Sequence, residues 1–328
     1  MDLSVFDNRY RFTFDYYEKE TTDLLQNMPV LSESGFSNYL ANFGSIRNKG
    51  FEVELSTSPI NTKNFKWNFD INYSINKSEI TDLGVLSFID YTSPISNFTD
   101  ATHRLVKGGE IGDFFGLQTA GLLTAEDLLN GYPTYRGAVS EGDLKFADRN
   151  LDGTISAADA TILGNAFPDF TMGINNTIEY KNFSLSFLIR ASIGQEVMNW
   201  QNFLTSFGSG WGGVPTIKSF NDRWTPENLD AYYPRTAGVG LAVCDRLIED
   251  GSFIKLQNVT LSYKIPVKFK LLRNAQVYIT GYNLVTLTNY SGYDPEVSAY
   301  GQNLLRAGID KGSYPRASIL TFGFKFSL

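Results

Sequence analysis

The sequence predicts an all-β fold, an antiparallel transmembrane β-barrel of which this chain supplies an arc of about eight or more strands. Three observations carry that prediction. Apolar and polar residues alternate with period two over segments of about ten residues, longer than the usual five or six of globular strands and matched to the nine to eleven that cross a bilayer at a tilt. Aromatic residues gather near the segment ends, as interfacial girdles require. The connections alternate between short turns and very long segments, which is how such barrels separate one rim from the other.

Taken in order, Tyr10, Phe12, Phe14 and Tyr16 share one face, as do Phe51, Val53 and Leu55. In 65–75 the apolar set Phe65, Trp67, Phe69, Ile71, Tyr73 and Ile75 opposes Lys66, Asn68, Asp70, Asn72 and Ser74. Met172, Ile174, Ile178 and Tyr180 repeat the pattern, followed by Phe183, Leu185, Phe187, Ile189, Ala191 and Ile193. Over Phe253 to Tyr263 the apolar set changes phase, which a bulge near Gln257-Asn258 would explain. Residues 275–287 alternate weakly, and the chain closes on Leu320, Phe322, Phe324, Phe326 and Leu328. Strands therefore start near 7, 48, 64, 170, 183, 251, 274 and 316. Short turns fall at Ser58 to Asn64, Lys181-Asn182 and Lys264 to Asn274, and long external loops at about 20–47, 82–169, 201–250 and 288–315. Alternating direction then requires that 82–169 hold no crossing strand or an even number.

Composition agrees. The chain has 25 Phe, 18 Tyr and 29 Gly with only 19% charged residues, a balance of short strands and not of helices. A formal charge of −7 without Lys/Arg clusters argues against nucleic acid as a partner. The single cysteine, Cys244, allows no internal disulfide and reads as a small packed side chain. No apolar run is long enough for a membrane helix. Residues Met1 to Asp7 show neither a basic nor an apolar signal region, so the expectation is that the true start lies upstream. The Gly, Ser, Thr and Asn of the polar faces suit the water-facing wall of something larger than a closed eight-stranded barrel.

Several longer runs resemble a known family: Arg47-Asn48-Lys49-Gly50-Phe51-Glu52-Val53-Glu54-Leu55 with Asn64-Phe65-Lys66-Trp67; Gly142-Asp143-Leu144-Lys145-Phe146 through Gly164-Asn165 to Pro168-Asp169-Phe170; Arg223-Trp224-Thr225-Pro226-Glu227-Asn228; Gly292-Tyr293-Asp294-Pro295-Glu296-Val297-Ser298; and Tyr314-Pro315-Arg316 to the end. In that order they are similar to the C-terminal part of SusC/RagA-type TonB-dependent transporters. The resemblance implies a 22-stranded barrel in the outer membrane of a Gram-negative, Bacteroidetes-like bacterium. It further implies a plug domain that this sequence lacks, energy from the TonB complex through that plug, and a SusD-like surface lipoprotein over a glycan or peptide ligand. The chain is then expected to be a fragment supplying about the last third of the barrel, which does not transport alone. Family members usually finish on an aromatic residue resembling an assembly signal, whereas Leu328 ends this chain.

Among chemical motifs, Asp148-Arg149-Asn150-Leu151-Asp152-Gly153-Thr154-Ile155-Ser156-Ala157-Ala158-Asp159 fits the calcium-loop pattern except for Asp in place of the final Glu. Asp148, Asn150, Asp152, Thr154, Ser156 and Asp159 would supply the oxygens of a structural Ca²⁺ site, and an Asx-rich solvated loop is the alternative. No other cofactor is required. His103, the only histidine, has no nucleophile motif beside it, and pairs such as Glu249-Asp250 and Glu126-Asp127 read as solvated charge. Trp200, Phe203, Phe207, Trp211, Trp224, Tyr232 and Tyr233 lie in or beside one external segment and are candidates for ligand or partner contact. Two functional alternatives accompany the transporter reading: a soluble β-sandwich carbohydrate-binding module, and a secreted all-β polysaccharide hydrolase.

Overall fold

The computed structural model describes residues 1–29, 35, 38–93, 100–136, 140–206, 215–236, 242–266 and 274–327. Nine strands hydrogen-bond in sequence order into one antiparallel sheet. They are β1 (Asp2–Val5), β2 (Tyr10–Thr21), β3 (Ser45–Asn61), β4 (Phe65–Asp82), β5 (Phe170–Tyr180), β6 (Phe183–Ile193), β7 (Phe253–Ile265), β8 (Asn274–Thr288) and β9 (Ile319–Ser327). Each strand neighbours its predecessor, the meander that short turns enforce, because a hairpin can pair only antiparallel strands.

The strand expected to start near 7 is two strands. Phe6, Asp7 and Asn8 all adopt positive φ and reverse the chain between β1 and β2, a conformation that Asp and Asn tolerate better than most residues. The phase change in β7 is a bulge: Leu188 pairs with Asn258 and Ile189 with Leu256, so Gln257 is the extra residue. Opposite it, β8 shifts between Tyr282 and Val285 around Asn283, whose φ is +50°. Both irregularities explain why alternation fades over 275–287.

Direction along the sheet follows the expected parity. Among the described residues none of the strands between 82 and 169 joins the wall, which is the even number required. The segments expected as loops instead fold into an external body. Strands Phe88–Thr92, Ala101–Val106, Asp113–Gly116 and Thr161–Asn165 form a four-stranded sheet, and Leu144–Phe146 pairs with Thr119–Leu122. Ile248–Asp250, Glu196–Asn199 and Ile309–Asp310 form a three-stranded one, with helices at Ala125–Leu129, Trp200–Ser206 and Ile217–Asn221. The main hydrophobic core sits here, not in the wall: Phe114, Leu117, Leu144, Phe146, Met198, Trp200, Phe203, Val243, Cys244, Leu247 and Ile309 pack together from five separate stretches of chain. Segment 20–47 is partly wall, since β2 runs to Thr21 and β3 starts at Ser45, with a hairpin of Leu25–Pro29 and Asn38–Asn42 between them.

Candidate functional site

Register turns the period-two sequence into two chemically opposite surfaces. On the outward face, Phe65, Tyr180, Phe183, Tyr263, Val277 and Phe324 form one continuous cross-strand row at the short-turn rim. The next outward row is Trp67, Ile178, Leu185, Leu261, Ile279 and Phe322. Toward the external side, Val53, Tyr73, Met172, Ala191, Ile254 and Leu287 repeat it, and Tyr16, Phe51 and Ile75 lie one step higher. Phe65 to Ile75 spans ten residues, which at ~3.4 Å each and a tilt near 40° projects to about 26 Å, the height of an outer-membrane apolar band. Aromatic rings meet across the strands, with Phe183 and Tyr263 centroids 4.7 Å apart.

No protein layer covers this belt among the described residues. Phe322 is 72% exposed, and Phe324, Phe326, Leu287 and Leu320 are exposed as well. A large apolar side chain left in water forgoes about 1.5–3 kcal/mol relative to burial, so a belt of this size must have an apolar surrounding. Two polar residues share one row in its middle, Thr57 and Asn176, and Asn176 accepts the indole N–H of Trp67 at 3.1 Å.

The inward face is wet. Asn68, Thr177, Ser186, Thr260, Thr280 and Thr321 form a row of hydroxyls and amides, with the Thr260 and Thr280 hydroxyls 2.9 Å apart. Tyr17 lies over Gly50 and Tyr278 over Gly323, each pair directly cross-strand, and in both cases a Cβ on the glycine would strike the ring. Near the external rim this face receives the chain between β8 and β9. Arg190 on β6 donates to Glu296 at 2.7 Å, and Lys255, its direct partner on β7, pairs with both Glu296 and Asp294. These charged residues were not among the sequence candidates. No local pattern marks Arg190 and Lys255, because two cations on different strands become neighbours only through register. A recess of about 730 Å³ opens between the wall and the external body, lined by Asn48, Ser74, Asn76, Glu110, Asp169 and Glu196, among others. Burial pushes the carboxyls of Glu110 and Glu196 above their ordinary range.

The structure disperses the residues singled out from sequence. Trp200, Phe203 and Tyr233 are buried. Trp200 and Phe203 stack at 4.6 Å inside the external core, so they pack there and present no face to a ligand. The Trp224 ring lies against Gly142, where a Cβ would come within 2.2 Å of it. Tyr232 is half-exposed beside a groove of about 760 Å³ that also contains Tyr293, Asn202 and Glu249. Phe207 and Trp211 lie outside the described residues.

In the 148–159 loop most of the carboxylate and amide oxygens, Asp148 Oδ1 excepted, face the loop's own N–H groups. Asp159, fully buried, accepts from the N–H of Arg149 and of Asn150 through Oδ1 and from that of Ser156 through Oδ2. Asp152 Oδ1 accepts from the Thr154 amide and hydroxyl, the Asn150 side-chain amide donates to Asp152 Oδ2, and Asp148 Oδ2 accepts from Gly153 N–H. Among the described residues no three Asp, Glu, His or Cys side chains are grouped to hold an ion. His103 is 1% exposed on strand Ala101–Val106, its Nε2 3.0 Å from the Ala307 carbonyl and its Nδ1 3.1 Å from the Thr102 hydroxyl. Burial lowers its pKa from 6.5 to about 4. Cys244 is buried in the external core, where burial pushes its thiol up to about 12. Neither group is placed as a base or nucleophile.

No family model matches the chain. It is similar to TonB-dependent receptor P3 of Formosa agariphila, 34% identical over an alignment of 333 positions that covers 98% of this chain and 33% of the relative. TonB-dependent receptor P26 of the same organism is 35% identical, and TonB-dependent receptor SusC of Bacteroides thetaiotaomicron is 28% identical, each matching 98% of this chain. The chain thus spans about a third of the curated relatives it matches. Among solved structures, the RagAB peptide transporter aligns with 99% of the chain and 34% of its own length at a TM-score of 0.78 and 22% identity. The same transporter in its closed-closed state gives 0.77 and 23%. These likenesses establish a shared fold.

Proposed function

We infer that this chain, which resembles the C-terminal barrel portion of SusC/RagA-type TonB-dependent outer-membrane transporters over nearly its whole length, forms the lipid-facing wall and external cap of such a transporter. The complete receptor imports a glycan or peptide ligand, drawing energy from the TonB complex and working with a SusD-like surface lipoprotein. The chain's own contribution is gated passage, with no bond made or broken. The observation that carries this reading is the nine-stranded sheet with one uncovered apolar face and one hydroxyl- and amide-lined face. The names of the similar proteins mention TonB and, for one solved transporter, a peptide, while the glycan and the SusD-like partner rest on the family resemblance of the sequence.

The wall reading is tested in the complete receptor in bilayers with a fluorophore on Phe187→Cys or on Ser186→Cys. Nitroxide carried on lipid tails is expected to quench the label at 187 and not at 186, and the reverse pattern would defeat the assignment. For the cargo, cells lacking the receptor are expected to lose uptake of one glycan or peptide and regain it with the gene restored. Undiminished uptake of every candidate would count against import.

Calcium at the 148–159 loop is a separate proposal. It is supported by the spacing of Asp148, Asn150 and Asp152, by Gly153 at φ +80°, and by Asp148 Oδ1, buried without a hydrogen-bond partner. Asp159 would have to leave its amides to close the site. Calcium is expected to raise the melting temperature of the receptor in a manner lost in Asp148→Asn; an identical response in that variant would reject the site.

A further inference from the structure

The charged cluster where the β8–β9 segment meets the inward face has a shape that the barrel alone does not explain. Arg190 and Lys255 are directly opposed on neighbouring strands, an arrangement that like charges disfavour unless an anion lies between them. Lys255 is 1% exposed, and an ammonium so far from water requires a partner. That partner comes from outside the wall. Glu296 accepts from Arg190 Nη1 at 2.7 Å, pairs with Lys255, and lies 3.7 Å from Arg316 Nη1. Asp294 steadies the arrangement: its Oδ1 is 3.7 Å from Lys255 and accepts from Glu296 N–H at 3.0 Å, while its Oδ2 accepts from Arg316 N–H at 3.3 Å. The Phe253 ring closes one side, 5.3 Å from Lys255 Nζ and 5.8 Å from the Arg190 guanidinium.

We propose that Arg190, Lys255 and Arg316 form an oxyanion seat on the lumenal wall, filled in the resting receptor by Glu296, which a carboxylate or sulfate group of the cargo displaces to free the strap between β8 and β9. Three cations against two carboxylates leave the cluster one positive charge in excess, on a chain whose formal charge is −7. Attraction of an anion here is therefore local. The Arg190 and Arg316 side chains are 44% and 53% exposed, so an incoming anion meets them before Glu296 has left. A guanidinium presents paired donors that match either oxyanion. Glu296, carried on a loop segment, competes as a tethered ligand whose effective concentration a cargo anion can exceed.

The proposal rests on the barrel reading only for placing the seat in the lumen. The complete receptor in nanodiscs is titrated with sodium sulfate and, separately, sodium acetate, each against sodium chloride of equal ionic strength, while hydrogen exchange is followed over 291–300. One of the two anions is expected to speed exchange there at least about threefold, and which one does so identifies the cargo group. Glu296→Gln is expected to tighten binding of that anion at least about tenfold, and Arg190→Gln added to it to remove the gain. Unchanged exchange with both anions, in a receptor that still inserts and conducts, overturns the seat and leaves the barrel standing. Failure to form a lipid-embedded wall, with anion binding retained, would defeat the barrel reading and not the seat. Should Glu296→Gln not assemble, the exchange measurement on the unaltered receptor decides alone.

Discussion

Acidification from pH 7 to 4 should loosen the external body through His103. Its imidazole is buried between strand Ala101–Val106 and the segment at Ala307, with Nε2 toward a carbonyl and Nδ1 toward the Thr102 hydroxyl. Burial is the largest cause of the shift, opposed by the Ala307 hydrogen bond and reinforced by the nearby Arg306 charge, and together they lower the pKa from 6.5 to about 4. The unfolded chain therefore binds a proton between those values that the folded one does not, so stability rises with pH across the window. At 1.36 kcal/mol per pH unit, the interval between about 4 and 6.5 makes about 3 kcal/mol present above pH 6.5 and lost below pH 4. Glu110, Asp113 and Glu196 act in the opposite sense, because burial raises their pKa values and the folded state then holds the extra protons. The measurement must for that reason be a difference. His103→Gln keeps a donor and an acceptor without a titrating group. Its melting temperature in the complete receptor, followed from pH 7 to 4, is expected to fall less than that of the parent by the equivalent of about 3 kcal/mol. Parallel pH profiles for the two proteins would refute the assignment of this linkage to His103.

Two further outcomes follow from the same geometry. Trp200→Ala removes the largest fully buried side chain of the external core and should cost about 3–5 kcal/mol, read as faster hydrogen exchange over 196–206 with the wall strands unchanged; uniform protection would contradict the core assignment. On β9, Leu320→Lys places a charge near the middle of the lipid belt and should cost about 2–4 kcal/mol of membrane stability by urea titration in bilayers, whereas Thr321→Lys on the wet face should cost far less. Equal losses would mean that the two faces are misassigned.

Much of the wall was legible because a strand's side-chain period is two: the parity that makes Phe65, Trp67 and Phe69 oily fixes which face meets lipid, whatever the partner strand. The bulge at Gln257 was legible for the same reason, as a phase slip within one strand. The external body was not. Its core joins Phe114, Phe146, Trp200, Val243 and Ile309, which lie far apart in the sequence and carry no shared period, so Trp200 and Phe203 looked like accessible aromatics. Nor could the loop at 148–159 show that Asp159 would turn its carboxylate to backbone amides, since the ligand spacing is compatible with either use.

Period, strand length and turn spacing by themselves determined the membrane-spanning sheet, its nearest-neighbour strand order and its two faces, because each depends on residues adjacent along the chain. Tertiary structure alone decided which long segments fold into an external body, which aromatics are sealed inside it, and that Glu296 comes to rest between Arg190 and Lys255. Those outcomes depend on contacts between residues up to about two hundred positions apart, such as His103 with Ala307, where chain entropy opposes closure and only the assembled packing and charge pairing repay it.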